Sequence, residues 1–208
     1  MTERRPAIAD SAVATGRGDD GTTGLLYGGR ISKDDPRTDA YGTIDEAVAA
    51  LGLARVELNT AGLSELAESV LRWQRELFVV GAELATNPAA HDRLHDGVTR
   101  VSEGMLEGVE AALEKHERNM QMPREFIVPG ETRASAALEI ARAVLRRAER
   151  RIIAFERGAE PHGGWVVPYV NRLADLLWVL ARVAEQAESA APTPARVDDR
   201  PAPEHATE

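Results

Sequence analysis

The sequence predicts an all-α fold, a five-helix bundle with a glycine-rich N-terminal loop. Three observations predict it. Five segments carry apolar residues at the spacing of a helix with one buried face. No segment of comparable length alternates apolar and polar residues as a half-buried strand would. Turn and cap signals fall between the five segments, at Asp35-Pro36, at Asn87-Pro88 and in the stretches FIVPGETRAS and GAEPHGGWVVP.

The first helix is expected to open at Pro36, since proline's fixed φ and missing N–H suit the first helical position. Its stripe runs through Tyr41, Ile44, Val48, Leu51 and Leu58. Ser64 is the expected cap of the second, with Leu66, Val70, Trp73, Leu77, Val80 and Leu84 inward and Asn87-Pro88 ending it. The third is expected from about Thr99 to Arg118, through Val101, Met105, Val109 and Leu113. After FIVPGETRAS the fourth spans about Ser135 to Arg157, burying Leu138, Ala141, Val144, Leu145, Ala148, Ile152 and Phe155. GAEPHGGWVVP reads as a loop, and the fifth helix follows from about Tyr169 to Glu188 with Leu173, Leu176, Leu177, Leu180 and Val183. Residues 13–188 are thus one expected domain, with disorder expected over 1–12 and over the Pro- and Ala-rich tail 189–208.

Composition narrows the chemistry. A chain of 208 residues with 43% hydrophobic and 28% charged residues is long enough for a substantial core. It has no cysteine, which excludes disulfides, thiolate nucleophiles and thiolate metal sites. A net charge of −9 argues against nucleic-acid binding through a basic surface. Apolar runs are too short to span a membrane and the N-terminus lacks a signal-peptide core, so a cytoplasmic location is the simplest reading. Only Lys33 and Lys115 are lysines, which singles out Lys33 beside the glycine-rich stretch.

That stretch, ATGRGDDGTTGLLYGG (residues 14–29), fits the dinucleotide fingerprint at Gly16, Gly18 and Gly21 and the Walker A spacing from Gly16 to Gly21. Neither architecture follows. The fingerprint needs a strand before it and a helix directly after it, and Thr22 stands where a Walker loop has lysine. Glycines do let backbone N–H groups converge on an anion, with threonine hydroxyls as further donors and Lys33 as a cation. The loop suits either that role or a flexible arm. In the fourth helix Arg142, Arg146 and Arg150 recur every four residues, with Glu149 on the same side. This face suits a polyanion, because guanidinium forks bind phosphate bidentately, or simply solvent. Asn171 and Asp175 lie one turn apart in the fifth helix, where Asn171 could cap the helix or contact a ligand. Asp45, on the first helix, could pair with an arginine of the fourth.

Four segments in this order, TGRGDDGTTGL, SKDDPRTDAYGTIDEAVAALGLAR, FIVPG…LEIARAVLRRAER and NRLADLLWVLAR, resemble the PduO-type ATP:cob(I)alamin adenosyltransferases; LRWQRELFVVGAELAT is similar to the family's second helix. The resemblance spans about Thr15 to Ala187. It implies a trimer with sites between subunits and transfer of the 5′-deoxyadenosyl group of ATP to the cobalt of a reduced corrinoid, releasing triphosphate. A non-catalytic ATP- or corrinoid-binding chaperone on the same bundle is the alternative.

By position, the resemblance places Thr15, Gly16, Arg17, Gly18, Thr23 and Gly24 in the ATP loop and Lys33 on the phosphates. It places Arg146, Arg147, Ala148, Glu149, Arg150 and Asn171 along the nucleotide, and makes Asp45 and Arg142 a carboxylate–arginine pair between subunits. Phe126 matches a phenylalanine under the corrinoid that helps displace the lower axial ligand. Mg²⁺ is expected with the triphosphate, held mainly by phosphate oxygens and water; no protein metal site is expected. A corrinoid reductase and an adenosylcobalamin-dependent enzyme are implied as partners. Two positions differ from the family's usual pattern: the loop has glycine at 16 and arginine at 17 where the basic residue usually comes one place earlier, and Glu139 stands where histidine is frequent.

Overall fold

The computed structural model describes residues 11–157 and 164–196. Among them are five α-helices: α1 Pro36–Thr60, α2 Ser64–Leu84, α3 Glu103–Glu117, α4 Arg133–Glu156 and α5 Val166–Ala187. A short 3-10 helix, Pro88–Arg93, follows α2. Two small antiparallel ribbons accompany them: β1 Thr22–Gly24 pairs with β2 Arg30–Ser32, and β3 Ile127–Val128 with β4 Thr193–Pro194. Strands this short carry no alternation for a sequence reading to detect. The chain is otherwise helical, as expected.

Helix α1 packs on α2 and on α4, α4 packs on α5, and α5 packs on α3. The contact between α1 and α4 is the most extensive, and its residues explain why. Ala40, Ile44, Ala47, Leu51, Ala54 and Leu58 are buried at alternating four- and three-residue steps. Ala134, Leu138, Ala141, Leu145, Ala148 and Ile152 repeat the pattern on α4. Such a spacing gives a narrow seam of the coiled-coil kind, and the recurring alanines let two backbones approach closely.

Polar pairs beside this seam show that the two helices run antiparallel. The Arg37 guanidinium lies over the Phe155 ring, 4.7 Å from its centroid. Arg151 pairs with Asp39 at 2.7 Å, Arg147 with Glu46, and Arg133 with Glu57 at 2.8 Å. Ion pairs exposed to this degree contribute at most about 1 kcal/mol each. They report the register that core packing sets.

Local chemistry explains where the helix ends differ from expectation. The Asp35 carboxylate accepts a hydrogen bond from the Arg37 N–H at 2.8 Å and caps α1, as the sequence indicated. Ser64 is the first residue of α2 and its side chain makes no cap bond; Leu63 precedes it. Asn87 caps the 3-10 helix through the Ala89 N–H, while α2 itself ends at Leu84. Helix α3 begins at Glu103, four residues later than expected, because the Thr99 hydroxyl accepts from the His95 N–H and closes a turn. Helix α4 begins at Arg133: Thr132 is its cap, and Ser135 bonds back to the Thr132 N–H in a reciprocal capping box. Helix α5 begins at Val166, with Pro168 in the first turn, where a missing N–H costs nothing. Residues 158–163 of the expected loop lie outside the described residues, as do 1–10 and 197–208 of the expected disordered termini. Nearer the bundle, Thr193–Pro194 form the strand β4.

One buried cation closes the end of the α1–α2 pair. Arg37 is 6% exposed, and its Nη1 donates to the carbonyls of Leu84 at 3.1 Å and Thr86 at 2.6 Å. Leu84 ends α2 and Thr86 lies just past it, where intrahelical donors run out. Arg37→Met keeps the length of the side chain but removes both donors. It is expected to destabilise the protein by about 2–3 kcal/mol, read as a lower urea midpoint with an unchanged slope.

Candidate functional site

The glycine-rich segment is a folded loop pinned at its base. The β1–β2 ribbon sets Thr22 opposite Ser32 and Gly24 opposite Arg30, and the Lys33 N–H continues it to the Gly21 carbonyl at 2.9 Å. Gly16 and Gly21 have φ of 65° and 80°, a left-handed region that L side chains rarely adopt. Arg30 braces the loop from inside: its Nη2 donates to the Arg17 carbonyl at 2.6 Å and its Nε to the Thr22 hydroxyl at 2.8 Å. Asp20 completes the brace by accepting from the Thr22 hydroxyl at 2.8 Å and the Thr22 N–H at 3.0 Å. These two bonds, and then the Arg30 charge, hold the Asp20 carboxyl below its usual pKa.

Within this frame the structure joins two residues that the sequence had placed on one ligand. A Cβ built on Gly18 would lie 2.9 Å from Lys33 Nζ and 3.3 Å from the Thr22 carbonyl oxygen. Glycine at 18 is what leaves room for the ammonium. Lys33 also borders an open cavity of about 350 Å³ with Thr38, Asp39, Gly42, Thr43 and Glu46. Asp39 and Glu46 are the carboxylates that hold Arg151 and Arg147 of α4. The lysine and the arginine helix therefore meet across α1.

Around this cavity the remaining expected residues divide. Thr15 and Arg17 are exposed, Thr23 lies in β1, and Gly24 ends that strand. On α4, Arg146, Arg147 and Arg150 are exposed while Ala148 is buried in the seam. The Arg150 Nη1 donates to the Arg146 carbonyl at 3.0 Å, which ties one guanidinium back along the helix. Glu149 accepts from the Asn171 amide at 2.9 Å, joining α4 to α5. Asn171 lies inside α5 and does not cap it, since that helix starts at Val166.

The expected Asp45–Arg142 pair does not form within the chain. Arg142 Nε donates to Glu139 one turn away at 2.7 Å, and the α1–α4 pairs are made by Asp39, Glu46 and Glu57. Asp45 is exposed and makes no ion pair among the described residues; desolvation of its carboxyl raises its pKa.

A second cavity, of about 470 Å³, lies at the other expected cluster. Phe126 and Arg142 both line it, with Glu139, Trp178, Arg182 and Arg196. Phe126 is 73% exposed. Glu139 acts as a bridge: one oxygen takes Arg142, the other lies 3.2 Å from Arg182. Arg182 is 2% exposed, pairs with Glu185 at 2.7 Å and sits over the Trp178 ring. This cavity couples an exposed aromatic wall to a row of fixed charges.

A family model described as cobalamin adenosyltransferase matches residues 13–184. The chain belongs to the cobalamin adenosyltransferase family. It is 38% identical over 173 residues to a corrinoid adenosyltransferase of Citrobacter freundii, covering 83% of this chain and 94% of that one. It is 37% identical over 170 residues to the corrinoid adenosyltransferase of Bacillus subtilis, covering 81% and 84%. Among solved structures, a phenylalanine-to-alanine variant of a PduO-type ATP:corrinoid adenosyltransferase from Lactobacillus reuteri, complexed with cobalamin and ATP, superposes with a TM-score of 0.78 at 29% identity, covering 88% of this chain and 98% of that one.

For this cobalamin adenosyltransferase family member, sequence reasoning missed the groups that hold the site residues in place. Arg30 and Asp20 brace the loop, Asp39 and Glu46 position the α4 arginines, and Arg182 orders Glu139. Arg182 and Glu185, three apart among the apolar positions of α5, carried a signal; Arg30 carried none, because a loop has no periodicity to show which groups it will meet.

Gly18→Ala tests the loop geometry directly. It is expected to displace the Lys33 ammonium while stability changes by no more than about 0.5 kcal/mol. Amine labelling at Lys33, with Lys115 as internal reference, reads the first effect, and urea denaturation reads the second.

Proposed function

We propose that this chain is an ATP:corrinoid adenosyltransferase, transferring the 5′-deoxyadenosyl group of ATP to the cobalt of cob(I)alamin. The observation that carries the proposal is the seating of Lys33 in the space left by Gly18, at a loop braced beside the arginine helix of a cobalamin adenosyltransferase family member. Support for the two substrates comes from the Lactobacillus reuteri neighbour, which is complexed with both.

In this reaction the electron pair of cobalt(I) forms the bond to C5′. The C5′–O bond breaks, and its pair leaves on the triphosphate. Because the corrinoid is its own nucleophile, the protein has no need of a serine, cysteine or histidine nucleophile. Its tasks are to hold C5′ in line and to neutralise charge growing on the departing phosphates.

The residues divide those tasks. Loop N–H groups from Thr15 to Gly18, with Thr23 and Gly24, take the phosphates, and Lys33 supplies a compact charge to them. Arg146, Arg147 and Arg150 of α4 supply planar donors, with Glu149 and Asn171 orienting the nucleoside side. Phe126 forms an apolar face under the corrinoid, and Arg142 stands at the edge of that cavity. Asp45 faces Arg142 of a neighbouring subunit in a homotrimer, which leaves Arg142 a partner beyond Glu139. Mg²⁺ enters with the triphosphate, held mainly by phosphate oxygens and water. A cytoplasmic setting, a corrinoid reductase upstream and an adenosylcobalamin-dependent enzyme downstream complete the reading. No helix among the described residues is long and apolar enough to cross a membrane.

The test is incubation of the protein with ATP, Mg²⁺ and chemically reduced cobalamin. Formation of a light-sensitive cobalt–carbon absorbance in step with released triphosphate is expected. Binding of both substrates without that absorbance would overturn the enzyme in favour of a chaperone. Arg146→Ala is expected to lower kcat by about 10²-fold, the size of effect found when one preorganised donor to a developing charge is removed. The KM for ATP should move much less, because the interaction grows as the phosphates leave.

A further inference from the structure

The segment that carries Phe126 is held from two sides, by the last turn of α5 and by the chain that follows it. At its near end, Gln121 and Gln186 exchange hydrogen bonds: the Gln121 N–H donates to the Gln186 side chain at 3.2 Å, and the Gln186 amide donates to the Gln121 carbonyl at 2.9 Å. At its far end, β4 pairs with β3, setting Pro194 opposite Ile127 and Thr193 opposite Val128. The Ala195 N–H donates to the carbonyl of Phe126 itself at 2.8 Å. The Thr193 N–H donates to Glu131 at 3.1 Å, on the far side of the turn that leads into α4. Arg196 then borders the same cavity as Phe126 and Arg142.

We propose that Thr193–Arg196 is a strap that holds the Phe126 segment in place as one wall of the corrinoid site. Without it, residues 121–131 would be a long connection between α3 and α4 with few internal contacts and an exposed aromatic at its middle. Such a connection samples many backbone states, and a large rigid ligand that needs one of them binds more weakly by the population of the others. The strap reduces that cost with the β3–β4 pairing and the Thr193 and Ala195 N–H donors. It also lies beyond residues 13–184, the span the family model matches. The wall of the site is thus completed by a part of this chain outside the family's common core.

This inference rests on the corrinoid reading of the cavity. Its test uses the full-length chain carrying Ala195→Pro, which removes the donor to Phe126, with Ala195→Ser as a control that keeps it. Glu131→Ala, which releases Thr193 at the other end, is the second variant. Cobalamin titration is expected to show an affinity at least ten-fold weaker for Ala195→Pro and several-fold weaker for Glu131→Ala. Ala195→Ser should match the unaltered chain, and ATP affinity should be the same in all four proteins. Hydrogen exchange at residues 126–128 should speed up in the two weakened variants while the five helices keep their protection. Unchanged cobalamin affinity in both Ala195→Pro and Glu131→Ala would overturn the strap and leave the corrinoid reading intact. Absence of cobalamin binding by the unaltered chain would overturn both.

Discussion

The close antiparallel contact of α1 with α4 is the constraint on which the rest of the molecule depends. Alanine at every seventh position of both helices, Ala40, Ala47 and Ala54 against Ala134, Ala141 and Ala148, lets the two backbones come together. Intervening Ile44, Leu51, Leu58, Leu138, Leu145 and Ile152 then fill the seam, and burying such side chains contributes about 1.5–3 kcal/mol each. A larger residue at an alanine position would push the helices apart. Both candidate cavities would feel it, because the Phe126 cavity is lined by α4 and the Lys33 cavity by α1.

That arrangement separates two chemical demands along one helix. The Thr132 end of α4, with Glu139 and Arg142, faces the Phe126 cavity, and its middle presents Arg146, Arg147 and Arg150. An anion with several charges and a broad apolar ligand need opposite environments, one of converging donors and one of exposed aromatic surface. Two turns of a rigid helix keep them a fixed distance apart, which suits the reaction proposed above.

Charge is organised by bracing more than by free display. Arg30 is committed to the Arg17 carbonyl, the Thr22 hydroxyl and Asp20, Arg182 to Glu139 and Glu185, and Arg147 to Glu46. Arg146 has no such partner among the described residues, which leaves its guanidinium available to a ligand. The buried Arg182–Glu139–Glu185 group gains little net stability, since desolvation offsets most of the attraction. Its effect is to fix Glu139, and through it the direction of Arg142.

The sequence by itself determined the fold class, the five apolar stripes and the residues most suited to a phosphate chain. Helical periodicity and the chemistry of Gly, Arg and Lys are local properties, and Asp35-Pro36 shows that a helix start is too. The family resemblance added Phe126, which composition alone would have left as a surface residue. Only the tertiary structure decided which groups meet. It seated Lys33 against Gly18, turned Arg142 to Glu139, gave the α1–α4 pairs to Asp39, Glu46 and Glu57, and laid Thr193–Pro194 on the Phe126 segment. Apart from Glu139 and Arg142, which lie one turn apart on α4, these join positions that spacing along the chain cannot relate, because tertiary packing alone sets the distance between them.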